Sequence, residues 1–335
     1  MLWELTHACN LACVMCYNVA QPEPELTTAE RLELLAQLAA SGALRLTFTG
    51  GEILTRRDFF TIAGRARELG FALDLKTNGT LLTAETADRI AGLDPVQVDV
   101  SLLAATTATS DAIMGGRDTL RRILRGVRLL QDRGVRVKLN TLLLDLNLAE
   151  RQAMLDMAQG FGVYYEQTFK ISPNDDGRLK AARYQLSTAQ MTAVLVADRT
   201  PFTPAPPTAS RRTCQVGLAS CLISPYGVVY PCNELRIPAG RLTGARCQSF
   251  SDIWAHAPIL RQLRAQHTFA NLPECRVCSI AAYCEGRCAG LAWKESGDPY
   301  AGHLLACQHA QARYAEQHPD IPAPETPVQA RLRGR

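Results

Sequence analysis

Hydrophobic and polar residues alternate along six short runs in the first half of the chain: LWELT (2–6), LRLTFT (44–49), FALDLKT (71–77), VQVDVS (96–101), VRVKLNT (135–141) and VYYEQTFK (163–170). Alternation with a period of two predicts strands. Stretches of helical period lie between them. Thr27-x-x-Glu30 and Asn147-x-x-Glu150 have the form of capping boxes at helix starts. Over 118–132, Leu120, Ile123, Leu124, Val127 and Leu130 share one helix face. Repeated strand–helix alternation predicts a parallel sheet with right-handed crossovers. Six strands make an incomplete (β/α)6 barrel of the TIM type, with an open doubly wound sheet as the competitor.

The polar positions favour the barrel. Parallel strands covered on both faces read as continuous apolar runs. Here each strand has a polar face: Glu4/Thr6, Thr47/Thr49, Asp74/Lys76, Asp99/Ser101, Lys138/Asn140 and Glu166/Thr168/Lys170. Helices outside and a polar, solvent-filled lumen inside account for that pattern, and such a lumen suits a charged ligand.

The second half reads differently. Ser187-x-x-Gln190 is a third capping box, followed by a Pro-rich stretch, TPFTPAPPTAS (200–210). CLISPYGVVYPC (221–232) predicts a hairpin turning at Pro225–Gly227. From Pro319 the chain is rich in Pro and Arg, the composition of a frayed tail. A chain of 335 residues fits two domains. It carries no run of 18 apolar residues and no secretory signal, so a cytoplasmic protein with no membrane partner is expected. A net charge of +4 is too small for a dedicated nucleic-acid binder.

The 12 cysteines change this picture. Cys9, Cys13 and Cys16 open the chain, the other nine follow residue 213, and the 197 residues between hold none. In a reducing compartment such clusters mean metal or redox chemistry. Cys9-x3-Cys13-x2-Cys16 directly follows the first strand, the end where barrels carry their chemistry. Three thiolates suit a four-iron cluster with one iron left open. His7 reads as loop packing.

The spacing, its position and Tyr17 beside Cys16 resemble the radical S-adenosylmethionine (SAM) enzymes. Gly50-Gly51-Glu52 after the second strand adds to the likeness, two glycines allowing close backbone approach and the Glu carboxylate accepting an ammonium. Cys214-x12-Gly227-x4-Cys232, Cys275-x2-Cys278-x5-Cys284-x3-Cys288 and Cys307, with Cys221 inside, resemble the SPASM extension of one branch of that family. That branch includes maturases of ribosomally made peptides, such as the PQQ and mycofactocin maturases.

The resemblance implies a radical SAM core over 1–199, a Pro-rich linker over 200–213, a SPASM domain over 214–312 and a flexible tail over 313–335. It implies SAM and three [4Fe–4S] clusters. Cys9, Cys13 and Cys16 hold the catalytic cluster. One auxiliary cluster takes Cys214, Cys221, Cys232 and Cys288, and the other Cys275, Cys278, Cys284 and Cys307, which leaves Cys247 over. Tyr17, Gly50, Gly51, Glu52, Thr77, Asn78, Ser101 and Asn140 fall at SAM-contact positions. Leu102-Leu103-Ala104 departs from the Leu-Asp-Gly that many relatives have after the Ser.

The implied reaction is reductive cleavage of SAM to a 5′-deoxyadenosyl radical, which oxidises or cross-links a peptide side chain. A flavodoxin- or ferredoxin-type electron donor is implied with it. Asn233 replaces the Asp typical of sulfatase-maturing members, with Glu234 beside it. The alternatives are a tetrapyrrole- or haem-modifying SPASM enzyme, a sulfatase-maturing one, and a zinc-stapled binding module. The first strand starts at residue 2, so a separate leader-peptide-binding carrier protein is expected. Arg117, Arg121, Arg125 and Arg128 form a solvent-side stripe, a candidate docking face for an acidic leader or its carrier.

Overall fold

The computed structural model describes residues 1–19, 21–172, 174, 180–198, 202–244, 247–284 and 287–334. The chain forms two compact units. The first is Met1–Tyr184 with Cys221–Tyr230 and Pro238–Ala257; the second is Gln185–Ser220, Pro231–Ile237 and Pro258–Arg335.

The six alternating runs form the parallel strands β1 (Leu2–Thr6), β2 (Arg45–Gly50), β3 (Ala72–Thr77), β4 (Gln97–Ser101), β5 (Val137–Leu142) and β6 (Tyr164–Thr168). Strands β7 (Leu222–Ile223), β8 (Val228–Tyr230) and β9 (Gly240–Arg241) extend the sheet, which runs β6-β5-β4-β3-β2-β1-β7-β8-β9. β7 lies parallel to β1, and β8 and β9 are antiparallel additions. The hairpin turns where expected. Gly227 takes a φ of +74°, and Ser224 Oγ accepts the amides of Tyr226 and Val228.

Helices α1 (Thr28–Ala40), α2 (Phe59–Glu68), α3 (Ala84–Gly92), α4 (Thr107–Met114), α5 (Thr119–Gln131) and α6 (Arg151–Phe161) alternate with the strands. The strand positions one out of phase with the polar set form the core. Trp3, Leu5, Leu46, Phe48, Leu73, Leu75, Val98, Val100 and Leu139 are wholly buried, as are Leu35, Ile62, Ile123 and Val127 on the helices. Each such side chain contributes about 1.5–3 kcal/mol of transfer free energy. Thr27 and Glu30 close the expected capping box.

Asn147 and Glu150 do not. Asn147 is fully buried: its Oδ1 accepts the Leu144 amide, and its Nδ2 donates to Leu103 O and Leu142 O. Glu150 instead accepts the amides of Ala105 and Thr106 ahead of α4. The pair thus ties together the loops after β4 and β5.

The polar face of the sheet also departs from expectation. Its charged groups meet one another across the strands. Arg45 binds both carboxylate oxygens of Asp74 at 2.5 and 2.7 Å. Asp99 lies 2.6 Å from Lys76 Nζ and 3.2 Å from Lys138 Nζ, and Lys138 also reaches Glu166 at 2.8 Å. Same-face neighbours on adjacent strands are spaced for such pairs. Burial pushes the Asp99 carboxyl up, but Lys76, Gln97 and Lys138 outweigh it and hold it below the ordinary carboxylate range.

The second unit contains α7 (Thr188–Asp198), which the family resemblance placed in the first domain; it packs against α8 (Leu304–Gln317). Its Ser187–Gln190 capping box forms. The described part of 200–213 is not a linker between bodies, since it lies inside this unit: Ala205 N donates to Ala282 O, and Gln317 donates to Phe202 O. The segment 313–335 is not a loose tail either. It holds the end of α8 and a further helix, Pro327–Arg333, that starts at a Thr326–Gln329 capping box. Val328 is 2% exposed, and Arg331 pairs with Glu274 at 2.6 Å. Among the described residues no helix is long and apolar enough to cross a membrane.

Candidate active site

The Cys9–Cys16 loop leaves the C-terminal end of β1 and is fixed by backbone bonds at both ends. Gly51 N donates to Thr6 O at 2.7 Å and Glu52 N to Ala8 O at 2.9 Å. Further on, Ala12 N and Val14 N donate to Met114 O and Ile113 O at the end of α4. This explains the two glycines after β2. A Cβ on Gly50 or Gly51 would lie 2.2 Å from Thr6 O or Ala8 O. Their role in the structure is loop-to-loop contact, and the Gly50 carbonyl accepts from Asn18 Nδ2 at 3.1 Å.

Glu52 also differs from expectation. It is fully buried. Oε1 accepts Leu54 N at 3.1 Å and Thr77 Oγ1 at 2.8 Å, and Oε2 accepts Asn78 N at 2.7 Å. These three bonds make the carboxylate a brace for the Thr77-Asn78 turn. Burial raises its pKa against these three hydrogen bonds.

Asn78 reaches the cysteine loop directly. Its Nδ2 lies 3.8 Å from Cys9 Sγ and 3.0 Å from Asn10 Oδ1, while Thr80 Oγ1 donates to its Oδ1. Tyr17 OH points to Glu4 Oε1 at 3.4 Å. His7 does more than fill space: its ring lies 3.4 Å from both Glu4 Oε2 and Tyr226 OH. Ser101 and Asn140 are register partners on the polar face, half-buried at the strand ends.

Sequence reasoning missed Glu25 and Asn174. Glu25 Oε1 accepts Thr6 Oγ1 and His7 N at 2.9 and 2.7 Å, and Oε2 takes Arg56 at 3.0 Å. Asn174 Nδ2 donates to Cys16 O at 2.9 Å. No motif marks either residue, because each is defined by a partner far away in sequence.

The three thiols suit a shared cationic metal group. Burial, then the charges of Cys16 and Cys9, pushes the Cys13 thiol up to about 12. Bound metal relieves that mutual repulsion by stabilising thiolates.

The later cysteines divide between the units. Cys275, Cys278, Cys284 and Cys307 line one cavity in the second unit. Burial pushes Cys307 up to about 12, and the other three thiols add to the shift. Cys214, Cys232 and Cys288 also belong to the second unit, where burial pushes Cys232 up to about 11. Cys221 belongs to the first unit, buried just before β7. Cys247 is exposed, and none of the twelve forms a disulfide.

A model of the radical SAM superfamily matches residues 3–158, and a model of an iron–sulfur cluster-binding domain, SPASM, matches residues 214–279. The chain is a radical SAM protein with a SPASM domain. [4Fe–4S] clusters and SAM are the cofactors of that pair of domains, and the four thiols lining one cavity are of the ligand type such a cluster takes.

Among relatives of this radical SAM/SPASM enzyme is the AdoMet-dependent heme synthase of Methanosarcina barkeri, 29% identical over 88% of this chain and 92% of that one. The mycofactocin maturase MftC of Mycobacterium ulcerans is 27% identical over 86% and 82%. The PqqA peptide cyclase of Granulibacter bethesdensis is 29% identical over 89% and 84%. In fold the chain is similar to anSMEcpe with bound AdoMet, with a TM-score of 0.69 at 14% identity over 100% and 99% of the two chains. It is also similar to Streptococcus suis SuiB bound to precursor peptide SuiA, with a TM-score of 0.68 at 17% identity over 92% and 75%.

Proposed function

We propose that this radical SAM/SPASM enzyme oxidises or cross-links a side chain of a ribosomally made peptide. Cys9, Cys13 and Cys16 would hold the SAM-binding cluster, which together with SAM supplies a 5′-deoxyadenosyl radical. The later cysteines would hold two further clusters. The protein's own contribution is placement: Glu25, Glu52 and Asn78 fix the cysteine loop and the adjoining turns.

The observation that carries the reading is the charge balance inside the sheet. The cations of the six strands' polar face, Arg45, Lys76 and Lys138, are each paired with a carboxylate. A peptide side chain needs no surplus of positive charge there, whereas a tetrapyrrole bearing several carboxylates does. The relatives named as maturase and cyclase support the same reading. The heme-synthase relatives favour the tetrapyrrole as the second reading. A sulfatase-type oxidation is disfavoured. Asn233 cannot act as a base, and Glu234 is buried 3.7 Å from the equally buried Lys294.

Anaerobic incubation with SAM, a reducing flavodoxin and a candidate precursor peptide tests this. Loss of two hydrogens from the peptide is expected. An untouched peptide alongside a changed carboxylated porphyrin overturns the reading.

Delivery of the peptide by a separate carrier belongs to the same proposal. Arg117, Arg121, Arg125 and Arg128 are all exposed on or next to α5, although Arg121 pairs with Asp118 and Arg128 stacks 5.6 Å from the Phe161 ring. Charge reversal of Arg121 and Arg125 to Glu should slow peptide modification several-fold and weaken its salt dependence, with SAM cleavage unchanged. Unchanged modification kinetics mean a merely solvated face.

A further inference from the structure

The four-cysteine cavity is lined by one cation that the cysteine pattern does not call for. Arg287 is 8% exposed, so its charge is out of water. Its guanidinium lies 4.8 Å from the centre of the Phe269 ring, and Nη2 donates to Ala281 O at 3.3 Å. Nε is buried and has no partner among the described residues. Burying a cation without an anion is strongly unfavourable. Among the described residues, the one carboxylate lining the cavity, Glu274, is already taken by Arg331 at 2.6 Å and by Gly302 N at 2.8 Å. Arg287 shares the cavity lining with the four thiols, and its guanidinium hydrogen-bonds the Cys275 sulfur.

We propose that Arg287 is the fixed counter-charge of an iron–sulfur cluster held in this cavity and that it raises the cluster's reduction potential. A thiolate-ligated cluster gains one negative charge with each electron. A cation a few ångströms away in a poorly screened interior favours the more negative, reduced form. Net charge and hydrogen bonds to the sulfurs are the protein's levers on such potentials. The inference rests on these four cysteines holding a cluster, which the iron content of the parent protein tests separately.

The test uses the full chain carrying Cys9→Ala, Cys13→Ala and Cys16→Ala, so that the paramagnetic signals come from the later cysteines alone. Dithionite supplies the electrons, and the reduced fraction is followed by electron paramagnetic resonance against solution potential. Arg287→Gln should keep its iron and lower the reduced-to-oxidised ratio of one cluster about tenfold at the parent's midpoint, roughly 59 mV for one electron. Arg287→Lys, which keeps the charge, should stay within about threefold of the parent.

An unchanged ratio in Arg287→Gln overturns the proposal, as do equal shifts in the two variants. If Arg287→Gln fails to load iron, Arg287→Lys decides. Parent-like loading and titration uphold the counter-charge. Loss of iron there too makes Arg287 a packing residue for Phe269 and overturns it.

Discussion

Cys9 and Cys16 stand exposed on a loop at the end of β1, whereas Cys275, Cys278, Cys284 and Cys307 ring a cavity under a capped terminal helix. The first site is held by polar bonds: Glu25 to His7, Glu52 to Asn78, Asn78 to Cys9 and Asn174 to Cys16. The second is held by packing, with Ile280, Ala306, Ala310 and Val328 nearly inaccessible around it. A site that admits a ligand must keep one side open, and directional hydrogen bonds can fix it without covering it. A site with a full ligand set has no such need, and burial both stabilises it and raises the importance of each charge nearby. Seclusion and access are therefore achieved with different chemistry in one chain.

The sharpest way to separate the sites is to remove the first. Changing Cys9, Cys13 and Cys16 together to Ala should abolish 5′-deoxyadenosine formation and leave about two-thirds of the iron, the share expected of two clusters in three. Formation at the parental rate would refute the assignment. Cys278→Ala should act the other way, on the body of the protein. Metal-binding free energy is folding free energy in loop-rich regions, so low solubility and a melting temperature at least about 5 °C lower are expected. A fully soluble, equally stable variant breaks the comparison.

Glu52→Gln tests whether the open site depends on its brace. An amide in place of a carboxylate sets a donor against the Asn78 amide, at a cost of about 1–3 kcal/mol. Iron in the first site and SAM binding should fall, with the four-cysteine site intact; parental iron and SAM affinity would show that the brace is dispensable. The smallest effect is expected at Asp99. Its folded pKa lies below the unfolded value of 3.8, so its contribution is present above that value and lost as pH falls through the lower folded one. Asp99→Asn should cost about 1 kcal/mol near pH 7, and the difference from the parent should shrink only as pH falls below 3.8 and through the lower folded value. Denaturant titrations across pH check it; a pH-independent difference rules out the ion pairs as the cause.

The six parallel strands were legible because one face is polar, which makes period two visible along the chain. The cysteine spacings were legible because ligands to one cluster recur at short intervals. What escaped the sequence lies in partners distant along it. Glu52 reads as a free carboxylate until the backbone of Asn78, 26 residues on, is seen to bind it. Asp99 reads as a ligand group until the register sets it between Lys76 and Lys138, and Asp74 until Arg45 on the next strand is seen to bind it. The capping box at Ser187 marks the start of α7 but not its partner, α8. Pro and Arg near the end suggested fraying, and only packing shows that Pro327 starts a helix and Arg331 anchors it.

The placement of β7 beside β1 has a consequence for biosynthesis. β1 leaves the ribosome first, yet its second neighbour comes some 220 residues later. At about 5–20 residues per second, that edge waits on the order of tens of seconds with unpaired amides and carbonyls. During this interval β1 can pair only with β2, and its apolar Trp3 and Leu5 adjoin an open strand edge. The nascent chain therefore presents a sticky edge until Leu222 and Ile223 emerge, and a chaperone that shields extended strands would have its longest task at β1.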